Sequence, residues 1–117
     1  MRAKRTAATD ISAQVRKIVN DRDQGCIFCK YLGFIPTGMN TEIMHYIPRS
    51  AGGLGIPENL AVGCIYHHRQ MDTDGKYSER QCMRALFRHY LREVYKDSWD
   101  EEKLVWRHDM NYGGGKK

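Results

Sequence analysis

The stretch that decides the fold of this chain spans residues 42–72 and reads EIMHYIPRSAGGLGIPENLAVGCIYHHRQMD. It carries His45, then Asn59, then the adjacent histidines His67 and His68. A histidine with a near-neutral pKa can take a proton from water, and a second histidine with a carboxylate four residues later can bind a divalent metal. The order of these residue types therefore outlines a site for metal-assisted hydrolysis of a phosphodiester.

Local patterns within this stretch predict two short strands followed by a helix. The predicted elements are, in order, a strand over 42–47 that stops at Pro48, an irregular glycine- and proline-rich loop over 48–58, a return strand over 59–62 and a helix from 64 to 71. On that helix His68 and Asp72 are i, i+4 neighbours, so both side chains can reach one cation. Asp72 is also explained as a turn residue at the end of the helix.

Two pairs of soft or borderline metal ligands flank the catalytic candidates at the same internal spacing. Cys26 and Cys29 form a C-x-x-C pair, and Cys64 and His67 form a C-x-x-H pair. Alone, the first pair is equally consistent with a redox site or with chance, but together the pairs predict a structural Cys3His zinc site that supplements a small core. Cys82 has no ligand spacing and is interpreted as a packing residue.

Helices are predicted on both sides of this region. The first would begin after Thr9 or Asp10 and carry an apolar stripe at Ile11, Val15, Ile18 and Val19. The longest helix carries an apolar stripe at Met83, Leu86, Phe87, Tyr90, Leu91 and Val94. Its other side carries a row of four arginines, hereafter the arginine row: Arg80, Arg84, Arg88 and Arg92. The row is explained either as a solvated face or as a contact to backbone phosphates.

Composition limits the function classes. The 117 residues are 41% hydrophobic and 28% charged, and no apolar run of membrane-spanning length or signal-peptide type occurs. We therefore expect a cytoplasmic protein of bacterial or phage-infected cells, with no membrane partner, and reduced cysteines rather than a disulfide framework. Lys and Arg outnumber Asp and Glu by 19 to 14, which favours a polyanionic partner over an acidic small molecule. The organisation predicted is a flexible basic arm over 1–8, one domain over 9–112 and a flexible tail over 113–117.

Three motifs follow one another from His45 to Leu60: H-Y-I-P-R-S, G-G-L-G-I and E-N-L. The pair Cys64 and His67 comes next. This order of motifs resembles the HNH endonuclease family, and most closely its phage-type members. The resemblance covers about residues 22–72. It implies an α+β fold: a small zinc-stabilised ββα-metal module with flanking N- and C-terminal helices. It also implies a metal-dependent DNA endonuclease that needs no small-molecule cofactor.

The resemblance assigns roles to individual residues. His45 would be the general base, and Asn59 would fix the loop and the His45 imidazole or donate an oxygen to the metal. His68 would be both a catalytic residue and a ligand of Mg²⁺ or another divalent cation, with Asp72 as a second ligand. Arg49 would bind phosphate or the leaving oxygen, because its guanidinium is planar and always charged.

Two departures from the family pattern bear on activity. Met44 stands where many members have an acidic or histidine metal ligand, and a thioether is a weak ligand for Mg²⁺. His67 stands where many members have a cysteine. The main alternative is therefore an inactive, zinc-structured nucleic-acid-binding module of the same fold. A protein-interaction module whose arginine row contacts an acidic protein is a third possibility.

Overall fold

The computed structural model describes residues 4–33, 40–74 and 76–107 and has an α+β architecture, which confirms the α+β part of the predicted fold. A two-stranded antiparallel sheet pairs β1 (Thr41–His45) with β2 (Leu60–Cys64). The helices are α1 (Lys4–Thr9), α2 (Ala13–Asp23), α3 (Ile27–Leu32), α4 (Ile65–Arg69) and α5 (Tyr77–Tyr95). Within the described ranges, no helix combines the length and apolarity required to cross a membrane.

The register of the sheet assigns its two faces to different helices. Ile43 pairs with Val62 and His45 with Leu60, while Met44 pairs with Ala61. The first face packs on α2, where Val19 is fully buried together with Leu60 and Val62. The second face joins the larger core formed with α3 and α5. Helices cover both faces, and two strands need this support because an isolated hairpin is only marginally stable in water.

The N-terminal region differs from the prediction in two respects. Residues 4–8, predicted as part of a flexible arm, belong to helix α1, while residues 1–3 and the predicted tail lie outside the described part of the chain. Helix α2 is capped by Ser12, whose Oγ accepts a hydrogen bond of 3.1 Å from the Val15 amide, and not by Thr9 or Asp10. The predicted apolar stripe also overstated one position, because Ile18 is 44% exposed.

Helix α5 confirms most of the apolar stripe predicted for it, but Val94 is 38% exposed. Met83, Phe87 and Leu91 are buried, and the Phe87 ring meets the edge of Phe28 with 5.7 Å between ring centroids. Cys82 is exposed on this helix, so its interpretation as a packing residue was wrong. The periodicity of α5 thus identified which side of the helix is buried, but it did not show that Cys82 is exposed.

An ion pair between the partly buried Arg22 and the buried Asp23, at the end of α2, ties the helices to the sheet. Asp23 is 3% exposed and accepts hydrogen bonds from the Arg22 guanidinium, the Val62 amide at 2.8 Å and the Tyr90 hydroxyl. Arg22 also donates to the carbonyl oxygen of Leu60 at 2.6 Å. Because both residues bond to other elements as well as to each other, the pair fixes α2 against β2 and α5.

Replacing Asp23 should therefore unfold the protein far more readily than replacing its neighbour Asp21. Asp23→Asn removes the buried countercharge of the partly buried Arg22, and we expect a loss of about 3–5 kcal/mol in the free energy of unfolding. Asp21→Asn, on the same helix, removes only an exposed pair with Lys17 and should cost less than about 1 kcal/mol. Urea denaturation followed by circular dichroism measures both, and equal losses would contradict this role of Asp23.

Candidate active site and metal centre

Four side chains predicted as zinc ligands meet in one buried cluster, hereafter the Cys3His cluster. The ligand atoms of Cys26, Cys29, Cys64 and His67 all lie within 4.8 Å of one another. The Cys29 and Cys64 sulfurs are 3.8 Å apart, and the His67 Nδ1 atom lies 3.2–3.7 Å from the three sulfurs. Tetrahedral zinc would put sulfur atoms about 3.8 Å apart and sulfur and nitrogen about 3.6 Å apart. The cluster could therefore hold a zinc ion.

Each half of the cluster is built by the same local device. Cys26 caps the N-terminus of α3 and Cys64 caps that of α4. The sulfur of Cys26 accepts the Cys29 amide at 3.3 Å, and the sulfur of Cys64 accepts the His67 amide at 3.5 Å. The capping geometry brings the side chains of the first and fourth residues together, which is why the three-residue spacing was informative in the sequence.

The chemistry of these donors favours a bound cation. Burial and the neighbouring Cys26 and Cys64 raise the pKa of the Cys29 thiol to about 12, because thiolates crowded in a buried site repel one another. Burial lowers the pKa of His67, which keeps the imidazole neutral as a ligand must be. A divalent cation would stabilise the thiolates, so the donor set fits zinc chemically as well as geometrically.

His45 lies at the end of β1 and contacts the N-terminal segment. Its Nε2 atom is 3.0 Å from the carbonyl oxygen of Thr9, and since a carbonyl can only accept, Nε2 carries the proton. In the neutral ring Nδ1 then holds the free lone pair. Burial, the largest cause, and the charge of Arg49 lower the pKa of His45, whereas the Thr9 carbonyl and Asp10 raise it. The net lowering keeps the ring in its basic form at neutral pH.

Asn59 braces the loop between the strands. Its Oδ1 accepts the Ile47 amide at 2.9 Å, and its Nδ2 donates to the carbonyl oxygens of Ile47 and Leu54 at 3.1 and 2.9 Å. The residue is fully buried, so its side chain serves the backbone and not a metal. Of the roles expected for Asn59, fixing the loop agrees with these contacts, while the His45 ring is held by Thr9 instead.

Residues 48–58 are packed tightly between helix α1 and the segment that contains Leu104. Gly55 donates its amide to the Ala8 carbonyl at 2.9 Å, and Leu54 donates to the Leu104 carbonyl at 2.8 Å. A Cβ on Gly55 would lie 2.0 Å from the Asp10 carbonyl oxygen, and one on Gly53 would lie 1.6 Å from that of Ile47. The two glycines are required because backbone occupies the space of a side chain.

A second polar cluster lies across β1 from His45. His68 contacts Glu42 through Nδ1 and Asp72 through Nε2, the latter at 2.8 Å. Helix α4 ends at Arg69, two residues before the predicted end, and a π-helical turn, Gln70–Asp74, follows. Asp72 lies in this turn and keeps its i, i+4 relation to His68. Both predicted metal ligands are thus adjacent, and Glu42 joins them. We call these residues the Glu42–His68–Asp72 cluster.

Met44, the main departure from the family pattern, is a core residue. It is 2% exposed, and a Cβ on Gly63 would lie 2.2 Å from its sulfur. Glu42 precedes it by two positions, on the same face of β1 but at the exposed end of the strand. The carboxylate nearest to His68 on this strand therefore comes from position 42 and not from position 44.

An open groove of about 690 Å³ joins the two polar regions. Its lining includes His45, the Glu42–His68–Asp72 cluster and three arginines, namely Arg16, Arg49 and Arg84. Arg49 pairs with Asp10 at the groove, while Arg80, Arg88 and Arg92 are absent from its lining. Hereafter this is the His45 groove. Sequence reasoning missed Arg16, because only the apolar stripe of the first predicted helix was singled out.

Comparison of the chain with protein-family models, with curated proteins and with solved structures found no match. The site must therefore be interpreted from its own residues. Those residues comprise a buried imidazole with a free Nδ1, a half-exposed imidazole between two carboxylates, and a cluster with the geometry of a zinc site.

The Cys3His cluster predicts one zinc per chain and a strong dependence of folding on it. Cys64→Ser should lose the zinc and lower the melting temperature by at least about 10 °C, because structural zinc contributes many kcal/mol to folding. Cys82→Ser changes an exposed cysteine outside the cluster and should keep both properties. Metal analysis by mass spectrometry and thermal melts measure the two effects. A Cys64→Ser protein that retains a full zinc equivalent would exclude this site.

Proposed function

We propose that the protein is a metal-dependent DNA endonuclease of the HNH type. The observation that carries this proposal is that one groove brings together His45, with a free Nδ1 lone pair, and the Glu42–His68–Asp72 cluster. A base and a carboxylate-rich cation site along one groove are what hydrolysis of a phosphodiester requires. The net charge of +5 favours a polyanionic substrate.

In this proposal His45 accepts a proton from the attacking water through Nδ1. The water oxygen bonds to phosphorus and the bond from phosphorus to the 3′ oxygen breaks, leaving a 5′-phosphate and a 3′-hydroxyl that takes its proton from solvent. The Thr9 carbonyl keeps the proton on Nε2 and so holds the ring in the tautomer that acts as a base. Asn59 holds the backbone that follows His45.

The residues of the second cluster suit a hard divalent cation such as Mg²⁺, since two carboxylates and one imidazole provide oxygen and nitrogen donors. One nitrogen of His68 would bind the cation, while the carboxylate on the other nitrogen fixes the tautomer and orientation of the ring. When bound, such a cation supplies Lewis-acid stabilisation of the charge on the phosphate.

A second candidate, an inactive nucleic-acid-binding module of the same fold, is favoured by Met44. Its thioether is buried in the core and offers nothing to a cation in the groove. Restoring a family ligand by Met44→Asp would bury a carboxylate and destabilise the fold, so it is a poor test. Glu42→Gln is better, because Glu42 is exposed and the amide keeps its size.

Cleavage of supercoiled plasmid with Mg²⁺, Mn²⁺ or Ni²⁺ tests the proposal. We expect nicking that requires added metal, falls about 10²- to 10⁴-fold in His45→Ala and also falls in Glu42→Gln. His89→Ala changes an exposed histidine of α5 outside the groove lining and should cut as the wild type does.

Two results would oppose this function. Equal cutting by the wild type and by His45→Ala would trace the activity to a contaminant. DNA binding without cutting under all three metals would instead support the inactive binding module.

The lowered pKa of His45 predicts activity that persists into mildly acidic solution. The base acts only when neutral, so the acid limb of kcat/KM against pH should lie below the ordinary histidine pKa of 6.5. Arg49→Gln removes a positive charge that lowers this pKa and should move the limb to higher pH. A limb that stays in place in Arg49→Gln would show that another group titrates.

A further inference from the structure

The arginine row of α5 is largely engaged within the molecule. Arg84 donates to the Tyr46 carbonyl at 3.0 Å and lies over the Tyr46 ring, 5.0 Å from its centroid. Arg88 donates to Glu101 at 2.8 Å, and Glu101 also accepts from the Tyr46 hydroxyl at 2.8 Å. These two arginines fix Tyr46 and the C-terminal segment, so moving them onto phosphates would break internal contacts.

The ends of the row are also poorly suited to bind DNA. Arg80 approaches the Asp72 carbonyl at 3.5 Å, and its Nε atom is buried. Arg92 is exposed but borders a hollow that also contains the carboxylates of Glu93 and Asp97. The row therefore offers little cationic surface that is both exposed and clear of acidic neighbours.

Arginines contributed to the His45 groove by other parts of the chain present their charge differently. Arg16 lies in the first turn of α2, is exposed, and has no side-chain hydrogen bond or ion pair within the part of the chain that the structure describes. Arg49 lines the same groove with its side chain 53% exposed, although it pairs with Asp10. Arg5, from α1, donates to the carbonyl oxygens of Arg49 and Ser50 at 3.2 and 2.9 Å, which holds a third guanidinium at this rim. We call these three arginines the α1–α2 wall.

Positively and negatively charged side chains thus occupy different parts of the groove. The α1–α2 wall is cationic, the Glu42–His68–Asp72 cluster is acidic and suited to a cation, and His45 belongs to the lining with both. We propose that the α1–α2 wall binds the backbone phosphates of duplex DNA beside the scissile phosphate, with Arg16 as its principal free contact. This inference rests on the proposed function. It assigns the main DNA contact to the α1–α2 wall in place of the arginine row.

The physical basis is the geometry and charge of arginine. A guanidinium without an internal partner can bind a phosphate through two parallel hydrogen bonds and loses no existing contact in doing so. Contacts to phosphate position the duplex without reading its sequence, and each one adds to the salt dependence of binding. The wall would thus orient the substrate strand across His45.

Paired charge reversals on the full-length protein test this assignment. Binding of a fluorescein-labelled duplex is measured by anisotropy over a range of salt concentrations without added divalent cation, for Arg16→Glu and Arg92→Glu. Both substitutions change the net charge equally and affect exposed helical residues. Glu in the first turn of α2 also interacts favourably with the helix dipole, so folding should be preserved. Thermal melts verify this for each variant.

We expect Arg16→Glu to weaken binding at least about tenfold and to reduce the slope of log K against log salt by about one, while Arg92→Glu stays within about twofold of the wild type. Arg16→Lys should bind within about threefold, because it keeps the charge. An equal effect of both reversals, or a larger effect of Arg92→Glu, would overturn the assignment. If the wild type nicks plasmid and Arg16→Glu binds normally, only this inference fails; if the wild type neither binds nor cuts DNA, the proposed function fails as well.

Discussion

The fold depends most directly on the buried carboxylate of Asp23. It sits where α2 ends and accepts hydrogen bonds from its neighbour Arg22, from the β2 backbone and from Tyr90 on α5. Removing a carboxylate from water is costly, and the cost is offset here only because each partner comes from a fixed place in the fold. α2 therefore has one position against the sheet, and the groove wall it carries has one position as well.

The candidate site is held from two directions by chemically different means. Side chains of the Cys3His cluster come from the segment before β1, from the last residue of β2 and from the helix that follows it, so a bound ion would clamp the ends of the hairpin that carries His45 and Glu42. The turn between the strands is instead held by the buried amide of Asn59. His45 and Glu42 thus lie between two fixed points. Such support matters because catalytic groups must be held close to their productive geometry.

Sequence reasoning worked where spacing alone determines geometry. Cys26 and Cys29 are brought together by one capping turn, and the stripe of α5 follows from helical periodicity. It failed where the partner is a backbone atom or a distant residue: nothing in the sequence marks the Thr9 carbonyl as the partner of His45, or Tyr90 as that of Asp23. The arginine row shows the same limit, because periodicity places charges on one side of a helix but cannot reveal which of them already have partners.

The tight packing of Gly53 and Gly55 limits how the loop between the strands can change during evolution. The loop containing them is bonded to the N-terminal segment, to the C-terminal segment and to Asn59, and it has no slack in which an inserted residue could be accommodated. A change in the length of the loop would therefore require a matching change in the conformation of residues 8–10. New substrate preferences would arise more readily by substitution at the exposed rim, at positions such as Ser50, than by remodelling the loop.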